Sequence, residues 1–377
     1  MTWEFQDAVL RRLGATTAEC EELLRYNENV FEIPCGIELP LPDEPFVACW
    51  EGWAAEARCR GAFPVLSEHL PQLRFPIREG MSGTEAYRAA TLKGVPPADL
   101  PEATGLPRAR PELVELALHP SPAGRIPVLT VRGRAEFVAL VQALGHRNEP
   151  FPVPESQGAL MLSGYNNWTR IAALRREWEA REPAERQGSW SEEFAGLRPR
   201  RELYQDRFIL LSDGPYSAVP AADLGLDEPT WRSLSLAIRR DHECAHYFTR
   251  RLFGAMRNNL LDELIADYSG MVAALGRFRS DWFLRFLGLE AFPRFRPEGR
   301  LGIYRGKPPL SDGAFRVLQA LIRDAAQNLE RFDAALPAGP RGLAERAAAI
   351  TALASLRLED LAAPGGEETL ARGFTLR

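Results

Sequence analysis

The sequence predicts an α+β fold, predominantly α-helical, and three observations predict it. From Asp227 onward, nearly every segment repeats apolar residues at the three-to-four-residue spacing of amphipathic helices. Residues 1–60 read the same way. Strand-like composition is confined to two stretches, 125–131 and 206–219. With 377 residues and 45% hydrophobic content, the chain can bury a substantial core as one large domain or two.

Taken in order, "TTAECEELLRYN" opens on a capping-box pattern, Thr16 with Glu19, in which each side chain satisfies the other's backbone N–H. "FVACWEGWAAEARCRG" reads as a helix ending at a C-cap glycine. Residues 91–125 are rich in proline and glycine and are expected to form loops broken by one short helix. "RIPVLTV" (125–131) is a strand, and "AEFVALVQALG" the helix after it. The proline-rich "RNEPFPVPESQG" (147–158) is the expected boundary between an N-terminal region, 1–150, mostly helical with a small β element, and a second region, 151–377. "WTRIAALRREWEAREP" is helical, and "DRFILLSDGPYSAV" (206–219) reads as a strand, a turn and a second short strand. "DEPTWRSLSLAIRRDHECAHYFTRRLFG" begins with an aspartate cap and an early proline and stops at Gly254. Four further helical segments begin at Asn259, Ser280, Ser311 and Gly342.

Composition narrows the function classes. Net charge is −5, with 46 basic and 51 acidic residues interspersed rather than blocked, so neither a nucleic-acid footprint nor a polybasic membrane patch is expected. The start "MTWEFQDAVLRRLG" has acidic residues early and no sustained apolar run, so it does not read as a secretory signal. No uncharged apolar run is long enough to span a bilayer. The five cysteines, Cys20, Cys35, Cys49, Cys59 and Cys244, are odd in number and form no CxxC pair. Reduced thiols and a cytoplasmic location are therefore expected.

The chemistry concentrates in "RRDHECAHYFTRR" (239–251), where His242-Glu243-Cys244-Ala245-His246 fits H-E-x-x-H. On a helix, positions i and i+4 share one face, so both imidazoles can reach a single ion about 2.0–2.1 Å away. Glu243, about 100° further round, is too far round to be a third ligand but is placed to hold a water on that ion. Leu234, Ile238, Ala245, Phe248 and Leu252 form the apolar stripe, and the two histidines sit at its edge. A third ligand is needed. Downstream, Glu263 and Asp267 are again i and i+4, on a face continued by the small residues Ala266, Gly270 and Ala274. Such a face lets the second helix approach closely enough for Glu263 to reach the ion. Asp267 is then placed to accept the free N–H of one histidine.

HExxH followed by ExxxD on the next helix resembles the gluzincin group of zinc metallopeptidases, which includes the thermolysin-like enzymes. The resemblance spans His242 to Asp267. It implies a zincin-like catalytic core within 151–377, with a short sheet preceding the HExxH helix. It implies Zn2+ held by His242, His246 and Glu263, with Glu243 as general base and Asp267 orienting a histidine. It further implies an edge strand that pairs with substrate, for which "PYSAV" (215–219) is the candidate. The sequence departs from the group in two respects. No histidine follows His246, so the family's oxyanion-stabilising histidine has no counterpart; Tyr304 in "GRLGIYRGKPP", with Arg305 beside it, is the substitute expected. Nor is there a GxMEN-type segment, so specificity for a free amino terminus does not carry over.

The function expected is zinc-dependent hydrolysis of an amide or peptide bond, with a peptide or amide-containing substrate and the oligomeric state open. Two other readings remain: a zinc hydrolase or tailoring enzyme acting on a small or peptide-derived metabolite, and a non-catalytic metal-binding or helical scaffold protein whose histidines make ordinary hydrogen bonds. Other signals are weaker. "GIYRGKPP" fails as a phosphate loop, because Lys307 is followed by Pro308. "SGYNNWTR" (163–170) is either a pocket lining or a turn with a helix cap. Arg239 and Arg250 are either solvated or placed to hold a substrate carboxylate.

Overall fold

A computed structural model describes residues 2–34, 36–106, 110–182, 188–256, 259–337 and 339–375. Cys35 lies outside them. The chain is mixed α/β, 58% helical with one four-stranded sheet, which sustains the helix-dominated fold class. It divides into two compact units: unit 1 is Met1–Leu41, Ser121–Ala123 and Pro215–Arg377, and unit 2 is Pro42–Pro120 and Gly124–Gly214. The boundary expected at 147–158 falls inside unit 2. A division read along the sequence misses one in which the N-terminal helices belong with the C-terminal half.

Unit 1 opens with α1 (Trp3–Arg12) and α2 (Thr17–Tyr26). The capping box of α2 is formed: Thr16 N donates to Glu19 Oε2 at 2.7 Å and the Thr16 hydroxyl accepts from Glu19 N. Unit 2 then runs α3 (Val47–Arg60), α4 (Ala62–His69), α5 (Glu85–Lys93), β1 (Val114–His119), β2 (Ile126–Val131), α6 (Arg134–Leu140), β3 (Ala159–Asn166), α7 (Trp168–Glu179), α8 (Trp190–Leu197) and β4 (Gln205–Ser212). Its sheet order is β1-β2-β4-β3. β1 and β2 are antiparallel, with Val114 opposite Val131; β2 and β4 are parallel; β3 and β4 are antiparallel, with a bulge between Ser163 and Tyr165. Phe46, Trp50 and Trp53 from the start of α3 join Leu129, Phe208 and Leu210 of the sheet in one buried cluster.

The chain returns to unit 1 with α9 (Glu228–Phe253), α10 (Leu260–Leu275), α11 (Ser280–Leu287), α12 (Asp312–Ala335), α13 (Leu343–Ala354), α14 (Leu358–Ala362) and α15 (Gly366–Thr375). Trp231, Tyr247, Phe248, Tyr268, Phe283 and Phe286 are fully buried there. No helix among the described residues is long and apolar enough to cross a membrane. The four described cysteines, Cys20, Cys49, Cys59 and Cys244, are free thiols.

Three expectations are corrected. The one short helix expected within 91–125 is replaced, among the described residues, by 3-10 turns at Pro97–Asp99 and Pro111–Leu113, and pairing with β2 holds Val114–His119 as a strand. β3 is not expected from the sequence: its second half lies in the run 163–170, for which a pocket lining and a turn with a helix cap are the two readings, and that run does line a cavity while Asn167 caps α7, accepting from Arg170 N at 3.0 Å. Residues 215–219 form no strand. Tyr216–Ala218 is a 3-10 turn, with Ser217 and Ala218 left-handed at φ 53° and 56°. Its polar backbone groups are spent on α9: Tyr216 N donates to Ser235 Oγ at 3.0 Å, and Val219 O accepts from Trp231 Nε1 at 2.7 Å. The sheet thus precedes the HExxH helix in sequence but belongs to unit 2, and unit 1 has only an isolated bridge, Ala291 to Arg294, among the described residues.

Candidate metal centre

α9 starts where the sequence places it: Asp227 accepts from Thr230 N at 2.9 Å, Pro229 occupies the first turn, and Gly254 ends the helix at φ 69°. His242 and His246 share one face and are 6% and 7% exposed. α10 lies against α9 so tightly that a Cβ on Gly270 would sit 2.4 Å from Ile238 O. Only glycine permits that approach, and it brings the Glu263 face of α10 to the histidines.

Three side chains converge. His242 Nε2 and His246 Nε2 are 3.1 Å apart, Glu263 Oε2 is 3.8 Å from His242 Nε2, and Glu263 Oε1 is 3.5 Å from His246 Nε2. Among the described residues this is the one His/Cys/Asp/Glu group with such spacing. Tetrahedral ligands at the 2.0–2.1 Å typical of zinc–nitrogen and zinc–oxygen bonds are separated by about 3.4 Å. The three separations bracket that value, so the residues fit a small divalent cation. Burial alone would raise the Glu263 carboxyl, but the imidazoles and Arg300 outweigh it and hold it well below the usual carboxylate range. Burial likewise opposes protonation of His246, yet Glu263, Glu243 and Asp262 raise its pKa to about 9. The cluster attracts positive charge, here a proton.

Behind His242 stands a buried network. Asp267 Oδ1 accepts from His242 Nδ1 at 2.8 Å and from the Tyr216 hydroxyl, while Asp267 Oδ2 accepts from Arg300. With its proton on Nδ1, His242 presents a bare Nε2 toward Glu263 and His246. Arg300 Nη1 also lies 3.5 Å from Glu263 Oε2 and 3.3 Å from the Tyr216 oxygen, with its guanidinium over the Tyr216 ring. His246 has no such support: its Nδ1 is buried without a hydrogen-bond partner.

The sequence matches, over residues 8–365, a family described as of unknown function, DUF7005. The chain belongs to that family. No curated protein and no solved structure matches it.

The structure brings His242, His246, Glu263 and Asp267 together as the spacing implied. Glu243 is half-buried on the same turn, and its charge acts on His246. Tyr304, on a 3-10 segment Arg300–Tyr304, also reaches the cluster. Burial first, then the Glu263 carboxylate with which its hydroxyl interacts, keeps its phenol protonated. Arg239 is buried rather than solvated, and donates to Pro215 O at 3.0 Å. Arg250 is exposed. Sequence reasoning missed Arg300, for which a lone arginine in "EGRLGIY" gives no periodic signal. Tyr216 enters the sequence reading only within the strand expected at 215–219. Sequence reasoning also missed Tyr26 of α2, whose hydroxyl donates to Tyr304 O and fixes that segment.

Proposed function

We propose that this chain is a zinc metallohydrolase of the gluzincin type that cleaves an amide or peptide bond. The carrying observation is the convergence of His242, His246 and Glu263 at separations of 3.1–3.8 Å, with Asp267 on the far nitrogen of His242. The free cysteines and the absence of a membrane-crossing helix among the described residues support a cytoplasmic setting. In this reading α9 and α10 are the heart of a zincin-like core, and the substrate is a peptide or another amide-bearing molecule.

A zinc ion bound by these three residues supplies Lewis acidity toward water and toward the scissile carbonyl. The chain's own groups do the rest. Glu243 accepts the proton of the attacking water and passes it to the departing nitrogen. The protonated Tyr304 hydroxyl donates to the oxygen that gains charge. Asp267, fixed by Tyr216 and Arg300, holds His242 in one tautomer and one orientation.

Glu243→Gln tests the assignment. The variant is expected to bind zinc at the parent's stoichiometry while hydrolysing a peptide mixture about 100-fold or more slowly. Equal turnover by the two proteins would remove Glu243 from its role.

A further inference from the structure

We propose that the free edge of β3 in unit 2 docks an acidic peptide segment in extended form. The proposal stands apart from the metal reading, since no metal-site residue lines this surface.

β3 is one of the two outer strands of the sheet. Ser212 N donates to Gly158 O at 2.8 Å, in the register that pairs Ala159 with Leu211 and Leu160 with Leu210. Antiparallel ladders alternate, so Leu160 and Leu162 turn their backbone groups to β4. Ala159, Met161 and Ser163 turn theirs outward, where no described strand pairs with them. A cavity of about 510 Å3 follows this edge and is lined by every residue from Leu160 to Asn166. Successive strand side chains point to opposite faces, so an unbroken run of lining residues marks an edge rather than a face. The volume falls in the range of ligand sites. β3 itself, "ALMLSGYN", carries no charge and no proline, the usual guards of an exposed edge.

Charge selects the occupant. Arg88, His146 and Arg147 line the cavity, and no aspartate or glutamate does. Both arginines are exposed, and neither forms an ion pair with a described carboxylate. The nearby Glu149 is committed elsewhere: its two oxygens accept from Gly80 N and Ser82 N, each at 2.8 Å. Gln72 also lines the cavity, and its side-chain Oε1 is buried without a hydrogen-bond partner. An added strand with carboxylates meets these groups through backbone pairing and charge together. A second copy of β3 would bring two arginine pairs against each other, which argues against self-pairing.

The test is fluorescence anisotropy on the full chain with labelled peptides. A short peptide alternating glutamate and valine is expected to bind, and the lysine–valine counterpart is not. Methylating alternate backbone nitrogens of the acidic peptide, in the register facing β3, should weaken it about tenfold or more. Arg88→Gln and Arg147→Gln change exposed side chains, so folding is preserved, and each should weaken binding several-fold. Equal binding of the lysine peptide would overturn the proposal. So would indifference to backbone methylation, or full displacement by free glutarate, either of which marks a small-anion site. Failure of the acidic peptide to bind at about 1 mM would overturn it as well.

Discussion

Asp267 is where the chemistry of single residues is most constrained. It is fully buried and takes protons from His242 and Tyr216 on one oxygen and from Arg300 on the other. Burial would raise its carboxyl, but Arg300 and His242 keep it lowered and ionised. Asp267→Asn keeps the shape and removes the charge. It should weaken zinc binding about 10–100-fold, measured by chelator competition, because His242 loses its fixed tautomer. It should also lower the melting temperature, because the buried Arg300 charge loses its nearest carboxylate and keeps only Glu263, 3.5 Å away. The candidate ligands and Asp267 are legible in the sequence because His242 and His246, and Glu263 and Asp267, each sit four apart on a helix. Tyr216 and Arg300 are not, because they stand 51 and 33 residues from Asp267 and meet it only through the tertiary fold.

At the scale of elements, the site depends on how closely α9 and α10 approach. Gly270 sets that distance against Ile238 O. Gly270→Ala should destabilise unit 1 by about 1–3 kcal/mol despite alanine's better helix propensity. It should also reduce zinc occupancy, because Glu263 is carried away from the imidazoles. Denaturant titration with metal analysis of the same preparation checks both, and unchanged stability with full occupancy would contradict the packing argument. Long helices were readable from caps and apolar spacing, as with Asp227 and Gly254 around α9. Strands were less so. β1 is held in strand form by its pairing with β2, and β3 is interrupted by a Ser-Gly bulge that locally reads as a turn. Residues 215–219 failed the other way, because flanking prolines and bonds to α9 take up the backbone groups that a strand needs.

Across the molecule, the N-terminal helices belong to the unit that carries the candidate metal site, a non-local arrangement that no linear boundary signal announces. One of their ties is Asn27, whose Nδ2 donates at 2.7 Å to Glu359 Oε1 on α14. Glu359 is fully buried, its Oε2 has no hydrogen-bond partner, and burial raises its pKa from the ordinary 4.5 to about 7. The folded state therefore holds this proton more tightly than the unfolded chain. Its stabilisation is complete below about pH 4.5 and is lost as pH rises through about 7, a difference of about 3 kcal/mol. Glu359→Gln keeps an acceptor for Asn27 and removes the titration. It should flatten melting temperature over that window and exceed the parent above pH 7. Identical profiles for the two proteins would remove Glu359 as the cause.

In the proposed site, two helices hold one divalent cation between His242, His246 and Glu263. Metal analysis of the purified chain, beside His242→Ala, is the decisive measurement. One zinc per chain is expected in the parent, with a nearly empty variant that remains folded by circular dichroism. A parent that takes up no zinc after dialysis against it, or a variant that binds as much as the parent, would contradict the proposed site.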